Sequence, residues 1–411
     1  MSKEKYITVM FPYPSGDKLH IGHWYNYAIV DSFCKIQKRL GFSTFQPFGY
    51  DSFGLPTENY AKKIGKSCLE TTEINIQSFE NEMKRMDTSF VTKLSTHTKE
   101  YQLRTQWLFN ELLKRGLAYK AIREQNYCSS CETVLANEQV VNGCCERCNT
   151  PTTKKELNQW FFKITEYKDR LINDIEKVDF PKASKQAHIN WLKQENFHDW
   201  CVSRQRSWGC PIPVEGETDT LDTFVDSAFY TIEYDRTRPV DIYVGGIEHT
   251  TKHLIYARFI CKFLYDIGYI NFDEPFLKVV HQGMILGEDG EKMSKSRGNV
   301  INPYDYEPQL LKMNLMFINH YFEGGKWQDS AYKGCDKFRN RLFKWIENNT
   351  AESGIDNSAI EKFEKQVIAY FESWKTNKVV SEWMTFYNKY KNSTLTAEQA
   401  DYLKKFFNDC F

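Results

Sequence analysis

Hydrophobic and polar positions along this chain switch between two periods, and each switch marks an element. Tyr6-Ile-Thr-Val-Met10 is a short unbroken apolar run, which predicts a parallel strand buried on both faces. Pro12, Pro14 and Gly16 interrupt it. A helical period starts near His20 and passes through Trp24, Tyr27, Ala28 and Phe33 to Leu40, with Gly41 as its cap. Residues 43–59 read as a second strand that ends in a glycine- and proline-punctuated loop carrying Asp51 and Glu58. Residues 67–118 are helical in period until Gly116 stops them. Residues 157–165 return as a strand, and helical segments follow as far as Trp191. Residues 240–249 and 276–280 are buried strands on either side of a helix containing His253. From Pro308 onward the pattern is helical throughout. Phe363, Val367, Phe371 and Trp374 form one inward stripe, and Thr396-Ala-Glu-Gln399 is a capping box for the last helix.

Strand, helix and strand, then an insertion, then strand, helix and strand again predict an α/β chain. Its core is a split, doubly wound parallel sheet, Rossmann-like, followed by an α-helical bundle. The expected segments are 1–122 and 241–306 for the two halves of the sheet, 123–156 for a small insertion, 157–240 for a connective region and 307–411 for the bundle.

Composition narrows this only a little. A chain of 411 residues holds two or three domains. Its 54 basic and 54 acidic residues leave no global basic footprint for nucleic acid, so an RNA partner would rely on local patches. The first residues lack an apolar signal core and no run reaches the length of a membrane span, so a cytoplasmic protein without a membrane partner is expected. A monomer is expected too. Twelve cysteines would suggest disulfides, but four form two C-x-x-C pairs and most of the rest are scattered singly, which suits a reducing compartment.

The pairs are Cys128-Ser-Ser-Cys131 and Cys145-Glu-Arg-Cys148, spaced for a tetrahedral, structural zinc ribbon, with Cys144 an ambiguous fifth thiol. Two other stretches carry chemistry. Phe11-Pro-Tyr-Pro-Ser-Gly-Asp-Lys-Leu-His-Ile-Gly-His23 puts His20 and His23 in the first helical turn, where free N–H groups and the dipole suit nucleotide phosphates. Imidazoles there can donate to phosphoryl oxygens, and Gly22 leaves room for a flat base. Glu291-Lys-Met-Ser-Lys-Ser-Arg297 packs three cations and two hydroxyls into a loop after Gly287 and Gly290, able to close over a triphosphate. Either stretch alone reads as ordinary capping or a solvated surface. Asp51 is a candidate acceptor for a substrate ammonium or a plain turn residue. Glu248 and His249, at a strand end, suit a ribose or adenine edge or a helix cap. Arg204 and Arg206 suit phosphates or surface ion pairs.

His-Ile-Gly-His and Lys-Met-Ser-Lys-Ser in this order resemble the paired signature of class I aminoacyl-tRNA synthetases. The surrounding residues resemble the leucyl-tRNA synthetase family: Met10-Phe-Pro-Tyr-Pro-Ser-Gly16, Gln46-Pro-Phe-Gly-Tyr-Asp-Ser-Phe-Gly-Leu-Pro-Thr-Glu-Asn59, Asn158-Gln-Trp-Phe-Phe-Lys-Ile-Thr165, Val202-Ser-Arg-Gln-Arg206 and Gly245-Gly-Ile-Glu-His249. The resemblance covers residues 5–305 well and the helical tail loosely. It implies activation of leucine by ATP with Mg2+ and transfer to the terminal adenosine of tRNA(Leu). It also implies roles. Met10, Phe11, Tyr13, Asp51, Tyr243, His249 and His253 would shape the leucine site. His20, Gly22, His23, Gly246, Glu248, Lys292, Met293, Ser294 and Lys295 would handle ATP, with His20, His23, Lys292 and Lys295 catalytic. Three departures stand out. Only residues 191–200 bridge the two halves where the family carries a large editing domain. Ser207 and Phe229 replace an expected Tyr and Trp. The helical region is shorter than the family's. The competing readings are a paralog that passes the adenylate to another acyl acceptor and a non-catalytic binding paralog.

Overall fold

The computed structural model describes residues 4–16, 18–135, 139–145, 148–293 and 297–411. Ser294 and Lys295 of the basic loop lie outside them. Strand β1 (Glu4–Val9) is an inner strand of a four-stranded sheet, with β2 (Ser43–Phe45) on one side and β3 (Ile242–Gly246) on the other. Strand β4 (Val279–Gln282) extends the sheet beyond β3, and every pairing is parallel. Parallel neighbours need crossovers, supplied by helix α1 (Ile21–Arg39) between β1 and β2 and helix α2 (His253–Asp266) between β3 and β4. The doubly wound class expected from the apolar runs is thus present.

Those runs lack alternation because both faces of the sheet are covered. Ile7 and Val9 of β1, Val244 and Val280 face one core shared with α1 and the C-terminal helices. Tyr6, Tyr243 and Val279 face a second core shared with α2 and the connective region. Between the two halves of the sheet, the antiparallel hairpin Ala118–Cys128 and Thr153–Phe162 projects from the body, and Trp200–Cys201 joins its root as a further strand.

Several local expectations need correction. Glu58 sits on the helix Leu55–Ile64 rather than in a loop; Pro56 in its first turn gives φ a helical preset instead of a break. Within 67–118, helices Cys68–Arg85 and Lys99–Lys114 flank an unforeseen strand, Val91–Ser95, which pairs in parallel with Pro47–Tyr50. After Pro308 the chain is mostly helical but not wholly so. Gly324–Lys326 forms a strand beside Met284–Leu286, and a Cβ on Gly283 would collide with the Gly324 amide. The helices Pro308–Phe317, Asn357–Glu372 and Ala397–Cys410 pack on α1, and Asp329–Asn348 and Thr376–Tyr390 pack on those three. Phe33 stacks on Trp374 at 4.7 Å, and Arg39 pairs with Glu364 and Asp409, each at 2.8 Å. The capping box at Thr396 is formed, and Phe363, Val367, Phe371 and Trp374 are buried.

Candidate active site at the carboxyl ends of the strands

Helix α1 begins with the cap that the two histidines offer on the plainer reading of their spacing. His20 is its N-cap: its Nδ1 accepts from the backbone N–H groups of Gly22 at 3.1 Å and His23 at 3.3 Å. His23 Nδ1 in return accepts from the His20 N–H at 3.2 Å, so the imidazoles form a capping box and stack at 3.7 Å. A Cβ on Gly22 would lie 3.0 Å from His20 Cε1, so this glycine makes room for the cap as well as for any ligand. With both Nδ1 atoms accepting, the neutral rings carry their hydrogens on Nε2. Burial lowers the pKa of both, and the neighbouring His20 lowers His23 further. Both are therefore neutral donors at pH 7.

Two cavities open where β1 and β3 end. The smaller, about 240 Å³, is lined by Met10, Phe11, Tyr13, Asp51, Tyr243, His249 and His253, all expected at a leucine site. Asn26, Tyr27, Phe224, Ser227, Tyr230 and Gln282 complete its wall. Asn26 and Tyr27 follow His23 at helical spacing, Ser227 and Tyr230 flank Phe229, and Gln282 follows His281 on the way to the basic loop; Phe224 sits near no motif. Asp51 is buried, accepts from Thr223 Oγ1, and its backbone N–H donates to Pro12 O at 3.1 Å. Desolvation pushes its pKa up to about 8, against hydrogen bonds from Thr223 and Tyr13 that lower it. His253 is held neutral by burial, its pKa lowered to about 3, and its Nε2 is buried with no partner among the described residues.

The larger cavity, about 610 Å³, is lined by Gly246, Glu248, Lys292 and Met293, with Ile247, His281, Met284, Val300, Phe322 and Glu323. Phe322 arrives from beyond Pro308 and is 45% exposed, as are Met284 at 52% and Ile247 at 56%: an apolar face left open to solvent. His20, Gly22, Glu248 and Gln282 line both cavities and so form their common wall.

Arg204 and Arg206 do not reach either cavity. Arg204 pairs with buried Asp222 at 2.5 Å and Arg206 with Glu58 at 2.9 Å, so their ion pairs are internal ones. Neither Ser207 nor Phe229 lines the smaller cavity: Ser207 Oγ lies 3.5 Å from Glu58 Oε1, and Phe229 stacks on Tyr101 at 5.5 Å. At the hairpin tip the sulfurs of Cys128, Cys131, Cys145 and Cys148 lie within 4.8 Å of one another, and Cys144 stands outside the group. Sulfurs bound to one tetrahedral zinc are about 3.8 Å apart, so this set fits the metal with a small contraction. Hydrogen bonds from Thr150 lower the Cys148 pKa to about 6, toward the thiolate.

Comparison with known proteins places this geometry. A family model of tRNA synthetases class I (I, L, M and V) matches residues 1–238 and 217–339. The leucine–tRNA ligase of Caldanaerobacter subterraneus subsp. tengcongensis is 30% identical over 84% of this chain and 74% of the relative. That of Clostridium beijerinckii is 30% identical over 92% of this chain and 78% of its own. The first alignment runs over 607 positions although 84% of 411 residues is about 345, so that relative carries on the order of 260 residues inside the aligned span that this chain lacks. Among solved structures, an Agrobacterium radiobacter K84 LeuRS captured with tRNA and LeuAMS superposes with a TM-score of 0.88 at 24% identity, over 100% of this chain and 83% of that one. Mycobacterium tuberculosis methionyl-tRNA synthetase superposes at 0.76 and 18%, over 100% and 88%. These two likenesses speak for the fold. With a family model spanning most of its length and a 30% identical relative of which it covers 74%, the chain belongs to the class I tRNA synthetases, in their leucine–tRNA ligase family.

Proposed function

We propose that this chain activates leucine with ATP and transfers it to the 3′-terminal adenosine of tRNA(Leu). The observation that carries the reading is the common wall of the two cavities, with His20, Gly22 and Glu248 between a pocket holding one buried carboxylate and a larger cleft reached by Lys292. A carboxylate of leucine anchored by its ammonium at Asp51 would meet an ATP α-phosphorus at that wall. The reaction needs no protein nucleophile: the leucine carboxylate attacks the α-phosphorus and pyrophosphate leaves. Alignment and charge stabilisation are what the chain supplies. In this reading the Nε2–H groups of His20 and His23 donate to phosphoryl oxygens, while Lys292 and Lys295 neutralise the departing pyrophosphate. Met293 and Ser294 shape the same loop, and Gly246 and Glu248 hold the nucleoside. Magnesium accompanies ATP through its phosphates and water. A ribose hydroxyl of tRNA then attacks the adenylate carbonyl and releases AMP.

Cys128, Cys131, Cys145 and Cys148 would hold zinc, whose chemistry there is to cross-link the hairpin tip. The test is leucine-dependent ATP–pyrophosphate exchange, together with charging of leucine tRNA. Both are expected, and His23→Ala or Lys295→Ala lowers the exchange rate about 100- to 1000-fold while the leucine KM changes little. Exchange without charging would assign another acyl acceptor, and no exchange with any amino acid would leave only a binding role.

A further inference from the structure

The residue after Asp51 is held from outside the pocket by a hydrogen-bond chain that none of the roles above uses. Ser52 is fully buried and every polar atom it has is engaged. Its N–H donates to Thr96 Oγ1 at 2.8 Å, and its carbonyl accepts from Trp208 Nε1 at 2.7 Å. Its Oγ lies 2.7 Å from Ser95 Oγ and 3.0 Å from His97 Nδ1. His97 Nδ1 is also 2.9 Å from Ser95 Oγ, and its Nε2 is 2.7 Å from Glu73 Oε1. A carboxylate only accepts, so Glu73 fixes the imidazole hydrogen on Nε2 and leaves Nδ1 to accept from one serine hydroxyl, to which the other serine donates. The chain therefore has one sense, from the serines through His97 to Glu73. Only 6% of the His97 side chain is exposed, against 61% for Glu73, so the network runs from the surface to the loop. With no exposure, Ser52 serves geometry and not nucleophilic attack.

We infer that His97 and Glu73 are positioning residues for the amino-acid subsite, acting through Ser52 on the height of the Asp51 carboxylate. The inference rests on Asp51 taking the substrate ammonium, as proposed above. Pro12 holds Asp51 on one side through its amide, and the Ser52 clamp holds it on the other. An error of about 1 Å at a reacting group costs about 100-fold, so a loose Ser52 is felt at the ammonium. Asp51 lines the smaller cavity and not the larger, which confines the effect to the amino acid.

The experiment is steady-state pyrophosphate exchange with the full chain carrying His97→Ala, Glu73→Ala, Glu73→Gln, Asp51→Asn and the His97→Ala/Asp51→Asn pair, each checked by thermal melting. His97→Ala is expected to raise the leucine KM about tenfold and to leave the ATP KM within about twofold. Glu73→Ala shifts it less, and Glu73→Gln, whose amide oxygen still accepts from Nε2, restores it. In the Asp51→Asn background His97→Ala adds nothing, because the carboxylate it positions is gone. An unchanged leucine KM, an equal rise in both KM values, or additivity with Asp51→Asn overturns the inference. Asp51→Asn without any effect on leucine sinks the reading of Asp51 itself, and the inference with it. If His97→Ala does not fold, His97→Asn and the surface variants at Glu73 carry the same test.

Discussion

With Asp51 taking the substrate ammonium, as proposed, the pocket's affinity becomes a question of one proton. Its pKa stands at about 8 in the free protein because burial penalises the charge more than Thr223 and Tyr13 relieve it, and nearby Asp222 adds to the penalty. At pH 7 the free carboxyl is therefore mostly protonated, and it must lose that proton to pair with an ammonium. The sign follows. kcat/KM for leucine in pyrophosphate exchange should rise with pH, close to tenfold per unit at low pH, and level off near pH 8. Asp51→Asn should flatten the profile and lower kcat/KM by at least about thirtyfold, the cost of truncating one partner of a buried charge pair. A flat profile in the wild-type protein would remove Asp51 from the ammonium site. The histidines add little slope above pH 7, because burial lowers the pKa of both His20 and His23.

Among the elements, the helix Asp329–Asn348 has an outer face unlike its neighbours. Lys333, Lys337, Arg341 and Lys344 are exposed, and among the described residues none of them has an ion-pair partner. At 100° per residue they fall within an arc of about 80°, spaced for successive phosphates of one strand. Glu347 at the edge of the face is taken by Lys404 at 3.2 Å. Changing all four to Ala should weaken tRNA binding and flatten the slope of log K against log salt by about 0.7–0.9 for each phosphate no longer neutralised, without changing pyrophosphate exchange. An unaltered salt slope would clear this face of the role. A balanced total charge conceals such a face, and only the helical register reveals it. The same limit governs what the chain discloses about its site. Elements whose period is strong are legible from residues alone: β1, α1 with Gly41 just past its end, and the last capping box. Val91–Ser95 escaped because its pairing partner lies over forty residues away, and Gly324–Lys326 because two glycines carry no period at all. The residues around His20 and Asp51 carried motif signals. Phe322 and Phe224 reach the cavities only through tertiary packing, which no local pattern encodes.

For the molecule as a whole, how faithfully it selects leucine under the proposed function turns on the connective stretch 191–200. The helix Lys182–Leu192 is followed within a few residues by Trp200–Cys201, which returns to the hairpin root beside Phe161 and Phe162. In that stretch Trp200 stacks on Tyr256 at 3.8 Å and packs into the second core. If no second site corrects the product, selection between leucine and a shorter chain falls to the cavity of about 240 Å³. A single methylene in a hydrophobic pocket is worth about 1–3 kcal/mol, or about 10- to 200-fold. Norvaline should therefore be activated at about one hundredth of the leucine rate, and once esterified it should remain on tRNA for as long as the free ester survives in buffer. Charging with labelled norvaline, followed over time with and without the protein, measures this directly. Equal decay in both samples is the expected outcome. Rapid, protein-dependent release of norvaline would require a hydrolytic site within the described fold, and the cavity at the root of the hairpin, bounded by the 191–200 bridge, would be the place to look for it.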